Sequence, residues 1–188
     1  MVIFKDGEPD ATRQVIELAT ARAKELGIEK IVVASSTGAT ALRFLRAWPA
    51  TRLVVVRYVF GFERANAQEM PADVEKQILA EGARIVTAAH SFGGLGRAAR
   101  RKYETYQLDE IIAGALRIFG QGVKVACEIS LMACDAGMAR TDEKIVSCAG
   151  SGAGSDTALV LTPANTHSFF DLKVHEILCK PEARATAP

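Results

Sequence analysis

The chain has 188 residues with 23 lysines and arginines against 22 acids, and a net charge of +1 disfavours a nucleic-acid-binding protein, which usually carries a basic excess. Apolar residues make up 49% and charged residues 24%, which excludes a disordered protein and suffices for a core without disulfides or metals. The chain has no apolar run long enough for a membrane segment and no secretory leader, so we expect a soluble, cytoplasmic protein.

The cysteines are too far apart for a zinc site. They stand singly at Cys127, Cys134, Cys148 and Cys179, without the close Cys-x-x-Cys pairs that zinc uses. Carboxylates suited to a divalent metal do not cluster either. We therefore predict no metal site and four reduced thiols in the core.

Helices and strands alternate in the first half of the chain. A helix begins after the N-cap Asp10 and stops at Gly27, where apolar residues at helical spacing end. The elements that follow are a strand at 30–35, a helix at 37–48, a strand at 52–59, a helix at 71–81 and a strand at 83–88. Short β-branched runs of this kind are typical of strands buried on both faces.

The second half changes the order of the elements. Its predicted elements are a short basic helix at 97–102, helices at 108–119 and 123–136, and strands at 144–149, 157–161 and 170–175. This order predicts one three-layer α/β domain over residues 1–180, with helices on both faces of a mostly parallel sheet and an antiparallel C-terminal extension. Residues 181–188 are predicted to be a disordered tail.

The turn after the predicted strand at 30–35 has the composition of an anion site. It contains Ser35, Ser36, Thr37, Gly38 and Thr40, directly before a helix. Free N–H groups and the positive end of a helix suit a phosphate or carboxylate, whereas helix capping alone requires a single hydroxyl.

A glycine-rich loop separates the predicted strands at 144–149 and 157–161. Alternate glycines can turn N–H groups inward as an anion nest, although an ordinary turn has the same composition. Asp156 could face a sugar hydroxyl or a lysine. The loop residues of interest are Gly150, Ser151, Gly152, Gly154, Ser155, Asp156 and Thr157.

Two single residues are weaker candidates. His90 follows a strand and could serve as acid, base or ring contact, or as a structural histidine. Lys124 lies in the first turn of a helix, where the dipole disfavours a cation, so either a bound anion or Asp156 offsets it, or it is exposed. The basic segment 97–102 could lie on a solvated face or guide an anionic ligand to the rim, and the sequence does not decide its role.

The chain resembles the C-terminal α/β domain of pyruvate kinase and, more closely, a stand-alone prokaryotic, mostly archaeal family of similar proteins. The resemblance covers residues 8–180. It rests on V-V-A-S-S-T-G-A-T-A-L-R at 32–43, F-G-Q-G-V-K-V at 119–125, K-I-V-S-C-A-G-S-G-A-G-S-D-T-A-L-V-L at 144–161 and F-F-D-L at 169–172.

The resemblance implies a ligand and excludes an activity. In pyruvate kinase this domain is not catalytic and in many members holds a sugar bisphosphate with the loops at 35–40 and 150–157. The barrel that transfers phosphate is absent here, so no pyruvate kinase activity is expected. The stand-alone family implies flavin mononucleotide (FMN), with its phosphate on the serine-threonine turn. Its ring is expected near Phe60, His90, Phe119, Gly120, Gln121 and Gly122.

The sequence departs from the family at two places. Tyr58, Val59 and Phe60 stand where histidines are expected, which weakens acid–base chemistry in that segment. Ala153 and Ser155 stand where a more basic loop is expected, which favours one phosphate over two.

Three functions stay open. The first is FMN binding, the second is a regulatory module for sugar phosphates, and the third is an enzyme that uses His90 or Lys124 as acid or base. Partners other than a phosphorylated small molecule are not predicted, apart from further copies of the chain in a homo-oligomer.

Overall fold

The apolar runs of the chain form one seven-stranded sheet in the computed structural model, which describes residues 1–5, 8 and 10–182. The strands are β1 (Val2–Phe4), β2 (Ile31–Ala34), β3 (Leu53–Arg57), β4 (Arg84–Thr87), β5 (Ile145–Ala149), β6 (Thr157–Thr162) and β7 (Lys173–Pro181). The helices are α1 (Ala11–Glu25), α2 (Ala39–Leu45), α3 (Ala72–Ala80), α4 (Leu95–Tyr103), α5 (Leu108–Arg117) and α6 (Gln121–Asp135).

The sheet has the order β1-β7-β6-β5-β2-β3-β4. Four of its strand pairs are parallel, namely β1 with β7, β2 with β3, β2 with β5, and β3 with β4. The pairs β5–β6 and β6–β7 are antiparallel. The predicted α/β class, with a mostly parallel sheet and an antiparallel C-terminal extension, is confirmed.

Helices cover both faces of the sheet. On one face α1, α2 and α3 enclose a core with Val15, Phe44 and Ile78. On the other face α6 lies against the sheet through residues such as Leu131, and α5 adds Ala113. Cys127 and Cys134 belong to this second core, and Cys148 and Cys179 to the first, so all four thiols are buried as predicted.

Local chemistry sets several of the boundaries. The side chain of Asp10 accepts a hydrogen bond from the backbone N–H of Arg13 and caps α1. Gly27 and Gly82 follow α1 and α3 with φ values of 64° and 94°, a backbone conformation that glycine adopts without strain. These stops agree with the sequence prediction.

Three elements differ from the prediction. The helix predicted at 37–48 is α2, which covers only Ala39–Leu45. The strand predicted at 170–175 is displaced, because a 3-10 helix runs through Thr166–Asp171 and β7 covers Lys173–Pro181. Phe170 is 88% exposed, so its apolar character reflects no core position. The short edge strand β1 was not predicted.

The predicted tail 181–188 begins inside the sheet. Pro181 is the last residue of β7, and the backbone N–H of Glu182 donates to the carbonyl of Phe4. Residues 183–188 lie outside the described residues. Among the described residues, no helix is both long and apolar enough to cross a lipid bilayer.

Candidate functional site

A cavity of about 420 Å³ opens at the carboxyl ends of β2 and β3, beside β5. The helix after β2, α2, packs on one face of the sheet, whereas α6, which leads into β5, packs on the other. The crossover helices of two neighbouring strands therefore lie on opposite faces. Crevices at such switch points are where open α/β sheets bind ligands.

The turn at 35–40 forms one side of the cavity and carries free donors. The backbone N–H of Ser35 donates to the carbonyl of Val56 over 3.0 Å, and that of Ala41 donates to Ser35 Oγ over 3.3 Å. Ser35 Oγ thus accepts one N–H of the first turn of α2, whose N-cap residue is Gly38. The five backbone N–H groups of residues 36–40 have no acceptor among the described residues.

Gly38 has a structural role in this turn. Its φ is 88°, and a side chain there would overlap Val74 Cγ1 of α3. Gly38 does not line the cavity, whereas Ser35, Ser36, Thr37, Ala39 and Thr40 do. The glycine therefore lets the turn pack against α3 while its neighbours face the open space.

The loop at 150–154 forms the facing side. Gly150, Ser151, Gly152, Ala153 and Gly154 all line the cavity. The N–H groups of residues 152–154 have no acceptor among the described residues, while that of Ser151 donates to Asp156 Oδ2 over 2.8 Å. Thr157 Oγ1 donates to Asp156 Oδ1 over 2.7 Å. Asp156 therefore holds the loop through both carboxylate oxygens, and it has no lysine partner among the described residues. Its predicted role toward a sugar hydroxyl stays a prediction.

Aromatic rings form a third side. The ring of His90 lies 5.5 Å from that of Tyr58 and 4.7 Å from that of Phe62, both edge to face. Arg97 stacks over Phe62 at 5.0 Å. We call Tyr58, Phe62 and His90 the aromatic wall. Burial lowers the pKa of His90 and raises that of Tyr58, so both rings are neutral near pH 7.

Apolar side chains form the base of the cavity. Ala34 and Val56 come from the ends of β2 and β3, and α6 adds Val125, Ile129 and Met132. We call these five residues the apolar floor. Such a floor beside a few polar groups is typical of small-molecule sites.

A buried ion pair completes the lining. Lys124 and Glu128 are 5% and 4% exposed, and Lys124 Nζ lies 2.5 Å from Glu128 Oε2. Burial lowers the pKa of Lys124, and the Glu128 carboxylate opposes that shift. Two of the alternatives from the sequence, an exposed lysine and a lysine paired with Asp156, are therefore wrong, because Glu128 is the partner of Lys124. The third, a bound anion, stays a prediction.

The remaining predicted residues are divided between this cavity, a second cavity and the packed interior. A second cavity of about 790 Å³ adjoins the first, and Gln121 and Ser151 line both. Phe119, Ser155 and Asp156 line only the second. Gly122 and Thr157 pack directly against each other and line neither cavity, and exposed Phe60 also lines neither.

Sequence reasoning missed several lining residues. They are Arg57, Phe62, Arg117 and Glu128. Glu128 follows Lys124 by four residues in an otherwise apolar helix, and that spacing could have revealed the pair. In the basic segment only Arg97 faces the cavity, whereas Arg100 binds Glu110 Oε1 over 2.6 Å.

Three layers around a mostly parallel sheet, with a crevice at a switch point, define a doubly wound α/β domain. Residues 13–161 match the family described as pyruvate kinase, alpha/beta domain. This match covers well over half of the chain, so the chain belongs to that family.

Proposed function

We propose that the chain binds a phosphorylated small molecule in the first cavity, and that this ligand is FMN. The observation that carries the proposal is that one cavity is lined by an aromatic wall, an apolar floor and four residues whose N–H groups have no acceptor among the described residues, namely Ser36, Thr37, Ala39 and Thr40. A ligand with an anionic end and a flat apolar body satisfies both.

The phosphate is assigned to the turn at 36–40. Backbone N–H groups without an acceptor are suited to phosphate oxygens, and Thr37 and Thr40, which carry hydroxyls, line the cavity. The facing loop offers further N–H groups but contains no lysine or arginine between Gly150 and Thr157. The absence of a cation from this loop favours a monophosphate over a bisphosphate.

The flavin ring is assigned to the aromatic wall and the apolar floor. Aromatic side chains bury large apolar areas and pack edge to face or offset against other rings. Cavities of about 300–1,000 Å³ are typical of sites for ligands of this size, and this one measures about 420 Å³. The ring position next to Phe60 and Phe119, expected from the sequence, is replaced in this proposal by Tyr58 and Phe62.

The two alternatives explain fewer of these features. A sugar phosphate has no flat apolar body, so it would leave the aromatic wall and the apolar floor uncovered. An enzyme with His90 as acid or base requires a group that orients the imidazole. Among the described residues the ring of His90 has aromatic neighbours and no hydrogen-bond partner. We therefore assign His90 to ring contact.

The test is ligand release followed by ligand addition. Mass spectrometry of small molecules released on denaturation should detect FMN, and FMN should raise the melting temperature of ligand-free protein. At 100 times Kd the ligand adds about 2.7 kcal/mol to the free energy of unfolding.

Two variants that add the same charge at different places test the position of the phosphate. Thr37→Glu puts a carboxylate among the free N–H groups and should abolish the FMN-dependent rise in melting temperature. Thr141→Glu makes the same change at an exposed position before β5, at the opposite end of the sheet, and should keep it. Absence of released flavin together with no thermal shift would refute FMN binding. Stabilisation by sugar phosphates alone would favour the regulatory alternative.

A further inference from the structure

The buried pair Lys124–Glu128 has hydrogen-bonding capacity that the protein does not use. Glu128 Oε1 accepts from the backbone N–H of Phe92 over 2.9 Å, and Oε2 accepts from Lys124. Both carboxylate oxygens thus have a donor. A lysine ammonium has three N–H donors, and the described residues supply Lys124 with one acceptor, Glu128, and the ring of Phe92 at 5.6 Å.

Spare donors on a buried ammonium are costly unless something accepts from them. Lys124 lines the cavity although its side chain is almost fully buried, so an acceptor must come from what the cavity holds. Glu128 keeps the ammonium in place, because it is fixed in turn by the backbone of Phe92.

The charge of the pair indicates which acceptor fits. Lysine and glutamate together are neutral, so this part of the cavity attracts a second phosphate far less than an unpaired lysine would. Of the arginines that line the cavity, Arg57 is buried and paired with Glu75, and Arg97 and Arg117 are both more exposed than Lys124. An uncharged oxygen, such as a carbonyl on a ring, matches a donor with a balanced charge.

We propose that Lys124, positioned by Glu128, donates a hydrogen bond to a ring carbonyl oxygen of the ligand, so that the site selects monophosphates that carry a carbonyl-bearing aromatic ring. This inference rests on the proposed FMN binding. It makes Lys124 a specificity-determining residue and Glu128 a positioning residue.

The test removes the pair as a unit. Replacing both members of a buried ion pair by apolar residues usually leaves the fold intact, whereas removing one leaves a buried charge. The double variant Lys124→Met/Glu128→Met should therefore melt cooperatively like the wild type. Its FMN affinity should fall about 10- to 100-fold, the loss typical of a hydrogen bond from a charged donor. Lys76→Met, on the exposed face of α3, should leave that affinity unchanged.

Two further measurements separate this inference from the proposed function. Stabilisation by inorganic phosphate should be the same in the wild type and the double variant, because phosphate uses only the turn at 36–40. The unaltered protein should also bind 2-thio-FMN or 4-thio-FMN at least about tenfold more weakly than FMN, because sulfur is a weak acceptor.

The outcomes are distinct. Equal FMN affinity in the double variant and the wild type, or equal affinity of the wild type for FMN and both thio analogues, overturns the role of Lys124 and leaves FMN binding standing. A wild type that binds neither FMN nor phosphate overturns both proposals.

Discussion

His90 illustrates how one buried side chain couples the candidate site to stability. Burial lowers its pKa, so below about pH 6.5 the unfolded chain takes up a proton that the folded protein resists. The unfolded state then binds more protons, and the free energy of unfolding falls as the pH falls through this range. His90→Gln should flatten that dependence, measured by urea denaturation at a series of pH values. An unchanged slope in His90→Gln would show that His90 does not resist protonation in the folded protein.

Residue-level prediction succeeded where the chemistry is local and failed where it depends on packing. The cap at Asp10 follows from its neighbours in the chain. The pairing of Lys124 depends on how deeply α6 is buried, which the first-turn argument ignored. Phe62 lies in an irregular loop, and no periodic pattern indicates that its ring meets His90.

Two glycines show how the surroundings of a helix decide the effect of one substitution. Gly114 lies on the exposed side of α5, where an added Cβ would meet nothing within 4 Å. Gly114→Ala should therefore raise the free energy of unfolding by about 1 kcal/mol, because alanine favours the helix. Gly122→Ala in α6 gains the same preference, but its Cβ would overlap Thr157 Oγ1. It should lower stability by about 1–3 kcal/mol.

Chemical denaturation of the two variants measures these opposite effects. The same sign in both would contradict the close packing of α6 on β6. The comparison also tests the hydrogen bonds that hold the loop at 150–156. A Cβ at residue 122 would displace Thr157, which donates to Asp156, and Asp156 accepts from the backbone of Ser151.

At the level of elements, the sequence predicted the inner strands better than the ends of the chain. Long β-branched runs identify β2 and β3 because both faces are buried. The 3-10 helix at Thr166–Asp171 and the displaced β7 were missed, since aromatic residues at 169–170 imitate a strand. The short β1 shows no alternation of apolar and polar residues, so the sequence does not indicate a strand there. It is recognised only by its pairing with β7.

The first and last strands join at one edge of the molecule, so the N-terminal strand should contribute strongly to overall stability. Phe4 of β1 is 2% exposed and belongs to the core under α1. Phe4→Ala should lower the free energy of unfolding by about 3–5 kcal/mol, measured by urea denaturation. Val2→Ala in the same strand, where the side chain is 39% exposed, should cost less than about 1 kcal/mol. Equal effects would show that β1 does not dock through Phe4.

The whole-molecule topology was predictable in class but not in order. Alternating elements predict parallel strands with helices on both faces, and that is what the sheet shows. The placement of β5 beside β2, which creates the crevice, depends on the crossover through α4, α5 and α6. No residue pattern in those helices specifies which strand they return to.

Because all four cysteines are buried, labelling of their thiols can be used to detect unfolding of this protein. Burial raises the pKa of Cys127 and Cys179 to about 12 and that of Cys134 to about 11, and complete burial raises the pKa of Cys148 well above its usual value. Alkylation requires a thiolate in contact with solvent. A maleimide dye will therefore tag only chains that have opened, and the degree of tagging will count them.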